Sequence, residues 1–217
     1  MSYSNLYVID KKFYGENFAN FGNSWLFSPI VWDVLSEKYL PKKYGMTQSV
    51  IGVNGSKVWN EINDIMNGSD NACERICWEI TNQCVYFSKD KKCVSENIME
   101  FVNTHKEFQK GEDGIGVLER EPIIERFAEI SNSIMSIDEN EYPYFVFKNT
   151  SCDDGVERWF AKYDSEIDEY VPSSLKDFPE FVTEFVVIEN GNIREFIGND
   201  KFPYENTVDS QGIYMCE

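Results

Sequence analysis

Histidine is nearly missing from this chain: His105 is the only one in 217 residues. Basic side chains are also scarce, with 20 Lys and Arg against 38 Asp and Glu, so the formal net charge is −18. No apolar run approaches the roughly 18 residues that cross a bilayer as a helix. The opening Met1–Asp10 has neither the basic start nor the long apolar run of a secretory signal. Close cysteine pairs of the C-x2-C type are absent as well.

Each shortage removes a class of function. A Ser–His–Asp or Cys–His nucleophile needs a neighbouring base, and His105 alone could serve. It lies in Asn103-Thr104-His105-Lys106-Glu107, near a predicted helix end, where a solvated histidine is favoured by the dipole when protonated. Gly111, Gly114 and Gly116 sit among Glu112 and Asp113 with no Lys-Ser/Thr behind them, which does not make a phosphate cradle. Without a basic stripe, nucleic acid is an unfavourable partner, and so is an anionic membrane surface. The expected compartment is the cytoplasm.

The six cysteines are Cys73, Cys77, Cys84, Cys93, Cys152 and Cys216. Gaps of three, six and eight residues among the first four do not shape a zinc knuckle. Cys73 and Cys77 share a helical stripe with Ile76 and Ile80, so reduced core thiols are expected and no cofactor or metal is predicted. Carboxylate pairs suited to hydrolysis carry little information among 38 acids. Asp164–Tyr170 alternates acids like a calcium loop but lacks its central glycine.

What is present makes a folded protein. Hydrophobic residues form 42% of the chain and aromatics 15%, enough for a sizeable core despite the charge. Leu6–Ile9 reads as a strand, and residues 10–27 read as a loop. Ser28-Pro29 opens a helix that ends before Pro41. Ser49–Val53 is a predicted strand; Val58, Trp59, Ile62, Ile65 and Met66 then mark an amphipathic helix. Asp70 is the predicted cap of the cysteine helix, which leads to an extended Cys84–Phe87, a turn at Lys89–Lys92 and a helix to about Phe108. A central helix follows Pro122. Tyr144–Phe147 and Glu157–Tyr163 are predicted strands, with a short helix over Ser173–Phe181. Asn190-Gly191 between Glu184–Glu189 and Asn192–Ile197 signals a two-residue hairpin. The fold class is therefore α+β: a mixed α/β N-terminal half, a central helix and a C-terminal antiparallel sheet with an Asn-Gly hairpin. One domain over 1–217 is expected, with a division into two lobes near 109–118 left open.

Acids thicken towards the C-terminal half, where Tyr142, Tyr144, Trp159, Tyr163, Tyr170 and Tyr204 stand among them. Acids accelerate encounter with a basic protein, and aromatics anchor it. Asp153, Asp154, Glu157, Trp159, Tyr163, Asp164, Glu166, Asp168, Glu169 and Tyr170 are accordingly the expected partner-binding residues. The composition resembles that of bacterial immunity proteins, though no motif places the chain in one such family and no functional residue is carried over. That resemblance implies a non-enzymatic protein that neutralises a basic partner, a toxin domain. The alternatives are a virus-encoded anti-defence inhibitor imitating nucleic-acid charge, and a carboxylate-dependent hydrolase with Trp25, Trp32 and Trp59 lining a pocket.

Overall fold

A computed structural model describes residues 3–40, 50, 54–108, 110–148, 160–175, 184–189 and 192–197. The fold is α+β, and the described residues contain five α-helices, one mixed sheet and a separate two-stranded hairpin. The large sheet is built from β1 (Tyr3–Ile9), β2 (Gly15–Gly22), β3 (Val85–Phe87), β4 (Tyr144–Lys148), β7 (Glu184–Glu189) and β8 (Asn192–Ile197). Its spatial order is β2-β1-β4-β3-β7-β8. The small hairpin pairs β5 (Ala161–Asp164) with β6 (Glu169–Pro172).

Period-two alternation explains why the inner strands are almost wholly apolar. Leu6, Val8, Tyr86, Phe145, Phe147 and Val186 point into the larger core, while their neighbours Tyr7, Ile9, Val85, Phe87, Tyr144, Val146 and Phe185 enter a smaller one. A strand buried on both faces reads as a continuous apolar run. The helices α1 (Ser28–Tyr39), α2 (Gly55–Asn67), α3 (Ala72–Thr81), α4 (Lys91–Thr104) and α5 (Glu121–Met135) all contribute to the larger core. That core draws residues from both sides of the 109–118 segment, as where Phe101 of α4 stacks on Phe127 of α5 at 6.2 Å. Phe13, Phe160 and Leu175 complete the smaller core on the opposite face.

Several local expectations need correction. Residues 10–27 are not a loop throughout, because Gly15–Gly22 forms β2, an edge strand held antiparallel to β1. Leu6 faces Ala19 and Tyr7 faces Asn17, so Phe18 is the extra residue of a β-bulge. The cap of α3 is Asn71 rather than Asp70, its side chain accepting the Glu74 amide at 3.2 Å. Lys89 and Asp90 belong to a 3-10 turn, and Lys91 already begins α4, which ends at Thr104. Trp25 is exposed, and Tyr144, which the sequence sets among acids, is buried.

The strands β7 and β8 pair antiparallel from Glu184↔Ile197 to Glu189↔Asn192, while Asn190 and Gly191 lie outside the described residues. So does all of the strand predicted at Ser49–Val53 except Val50, and all of the helix predicted at Ser173–Phe181 beyond Leu175. The parallel pairing of β3 with β7 joins the second half of the chain to the first. No helix among the described residues is long and apolar enough to cross a membrane.

Candidate functional site

Six of the ten predicted partner-binding residues fall on one element, the β5–β6 hairpin. They are Tyr163, Asp164, Glu166, Asp168, Glu169 and Tyr170; Asp153, Asp154, Glu157 and Trp159 lie outside the described residues. The hairpin is anchored at its base. Phe160 is buried and stacks on Tyr7 of β1 at 5.6 Å, and its carbonyl accepts the Ser173 amide at 2.9 Å. Ser174 bridges Tyr14 and donates its hydroxyl to the Lys12 carbonyl at 2.7 Å. Gly15 permits this close approach, since a Cβ there would meet the Phe160 ring at 2.5 Å.

Beyond that base the hairpin extends into solvent. Tyr163 and Tyr170 are directly opposite in register, so both rings stand on one face, 5.5 Å apart and edge to face. They are 53% and 74% exposed, and Ile167 at the tip is 55% exposed. Asp164 Oδ1 accepts the Glu166 amide at 2.9 Å to shape the turn, and Asp168 closes it at φ 58°, a left-handed conformation that Asp tolerates. The Tyr163 hydroxyl donates to Asp168, whose carboxylate raises the phenol's pKa.

Asp164 and Glu169 also face each other across the ladder. Like charges directly opposite destabilise a hairpin. The arrangement is therefore poorly suited to stabilising itself and well suited to receiving a cation.

A second concentration of charge is buried. Glu74 on α3 accepts hydrogen bonds from Lys38 and Tyr39 of α1, and its Oε1 lies 2.7 Å from His105 Nε2. Burial pushes the Glu74 carboxyl upward, but the bonds from His105, Lys38 and Tyr39 outweigh that and hold it at about 2. Burial also pushes the Cys73 thiol to about 11, with Glu74 and Glu100 adding to the effect, so it stays protonated. His105 is therefore not the solvated histidine expected at a helix end: it is 3% exposed and paired with an acid 31 positions away. Nothing local in the sequence marks that partner.

Among the described residues, no three His, Cys, Asp or Glu side chains converge on a point where they could hold a metal ion. One depression among the described residues, about 460 Å³, includes Asp10, Glu16, Glu141 and Tyr142 in its wall. Two of its carboxylates have local duties: Asp10 caps the amides of Lys12 and Tyr14, and Glu16 accepts the Tyr142 hydroxyl at 2.5 Å. Trp32 is buried in the core and donates to Thr81, Trp59 packs beside Trp78 and donates to the adjacent Asn82, and Trp25 is exposed. No family model, curated protein or solved structure gives a significant match to the chain.

Proposed function

We propose that the protein is a non-enzymatic, acidic binding protein that neutralises a basic protein partner, acting as a bacterial immunity protein does on its cognate toxin. One observation carries the reading: an exposed hairpin presents two adjacent tyrosines and an apolar tip among Asp164, Glu166, Asp168 and Glu169. Tyrosine offers a large contact area for few rotatable bonds and so loses little side-chain entropy on binding, which suits the pair as anchors. The surrounding acids and the net charge of −18 steer a basic surface towards them.

The test is association kinetics with any basic toxin domain found encoded in a neighbouring gene; if no neighbour-encoded protein binds, the reading fails. The association rate is expected to fall ~10-fold or more between low and high salt. Truncating Tyr170→Ala should weaken the complex ~30-fold, mostly through faster dissociation. Association that ignores salt, or a complex indifferent to loss of both tyrosines, would overturn the reading.

A further inference from the structure

The pair Glu74–His105 belongs to no part of the binding hairpin, and its hydrogen bonds determine a protonation state. His105 Nδ1 lies 2.9 Å from the Phe101 carbonyl. A carbonyl oxygen only accepts, so this nitrogen carries a hydrogen. Nε2 lies 2.7 Å from Glu74 Oε1. That carboxylate also takes the Lys38 ammonium on Oε1 and the Tyr39 hydroxyl on Oε2. With those donors it remains ionised and can only accept, so Nε2 carries a hydrogen too.

A neutral imidazole has one bare nitrogen, and either choice here would set a nitrogen lone pair against an oxygen lone pair in a buried site. The ring also stacks on Phe101 at 4.5 Å, and an aromatic face favours a cation over it. The titratable group in contact with the ring is Glu74 from α3; Lys38 and Tyr39 from α1 bind that same carboxylate, and Cys73 beside it on α3 feels Glu74 and Glu100 of α4. Lys38 opposes a second positive charge; Glu74 in contact and the net charge of −18 favour it.

We propose that His105 is held as a buried imidazolium, a doubly donating latch that ties the C-terminal end of α4 to α1 and α3 through Phe101 and Glu74. The latch reaches further than one residue. The His105 carbonyl accepts the Phe108 amide at 3.0 Å, closing the turn after α4. Gly116 packs directly on that turn, its Cβ position 1.9 Å from the Lys106 carbonyl oxygen. Losing the tie at His105 therefore loosens both the turn and the Gly111–Leu118 loop lying on it.

The single histidine makes the test direct. Full-length 15N-labelled protein is examined by long-range proton–nitrogen correlation at pH 7. Two protonated ring nitrogens, with the shifts of an imidazolium, are expected in the wild type and in Lys38→Met. In Glu74→Gln the ring should carry one hydrogen, and amide protection at Phe108 should fall at least tenfold. A bare ring nitrogen in the wild type, or in Lys38→Met, overturns the assignment, as does a doubly protonated ring in folded Glu74→Gln. Should Glu74→Gln fail to fold, the wild-type and Lys38→Met spectra decide alone.

Discussion

Glu74 joins three separate pieces of chain through one carboxylate, so its chemistry sets how the helical layer responds to acid. Its folded-state pKa of about 2 lies below the ordinary 4.5. The stability it contributes is therefore present above about pH 4.5 and is lost as pH falls through 2. The gap corresponds to ~3 kcal/mol. Urea unfolding at pH 7, 4 and 2 should show the wild type losing that increment in acid, while Glu74→Gln has already lost ~3 kcal/mol at pH 7 because the Lys38 and His105 donors no longer meet an anion. Parallel loss in both proteins would place the acid sensitivity elsewhere. At the hairpin tip the logic is different. Asp168 holds a left-handed φ that Asn adopts as readily, so Asp168→Asn should leave the turn folded while weakening partner binding ~5-fold through loss of charge. A matched circular dichroism spectrum with a changed dissociation constant is the expected combination; a disordered hairpin would show the carboxylate to be structural.

The elements differ in how openly the sequence announces them, and the difference is physical. The helices α2 and α5 bury Val58, Ile62 and Met66, and Ile123, Phe127, Ile130 and Ile134, at helical spacing, so periodicity alone reveals them. The strand β2 is hidden because Gly15-Glu16-Asn17-Phe18-Ala19-Asn20-Phe21-Gly22 has no alternation; backbone bonds to β1 make it a strand, and the bulge at Phe18 breaks its period. The parallel union of β3 with β7 brings Val85 to Phe185, a pairing no local window contains. The acidic and aromatic residues of β5 and β6 were legible as a cluster in the sequence, but their cross-strand pairing and the exposure of Ile167 were not. The loop after α4 offers a test of close packing between elements. A Cβ at Gly116 would stand 1.9 Å from the Lys106 backbone oxygen, which cannot rotate away. Gly114 instead has φ +74° and open space around it. Gly116→Ala should thus destabilise by ~3 kcal/mol through overpacking. The comparison change, Gly114→Ala, should cost only ~1 kcal/mol, from backbone strain. Equal losses in thermal or urea unfolding would mean that the loop shifts to relieve the contact.

At the scale of the molecule, one charge distribution acts on two equilibria in opposite directions. Ion pairs among the described residues include Lys92–Glu96, Lys110–Glu107, Arg120–Asp113 and Arg126–Glu129, all exposed on at least one side. With 38 acids against only 20 bases, the acids outnumber any one-to-one pairing. Self-repulsion of this kind weakens the compact state and is relieved by salt. The Debye length shrinks from about 30 Å at 0.01 M to about 3 Å at 1 M, so the long-range part of the repulsion disappears across that range. The same screening would remove the field that steers the proposed basic partner to the hairpin. Added sodium chloride should therefore raise the urea midpoint of the free protein while lowering its association rate ~10-fold or more. The two readouts separate the reasons for carrying so much acid. If salt stabilises the fold and leaves association unchanged, the charge serves solubility, and Tyr163, Tyr170 and Ile167 lack an electrostatic guide. If both move in opposite senses, and Tyr170→Ala raises dissociation without changing the salt slope, then acids govern approach and aromatics govern residence on the same hairpin.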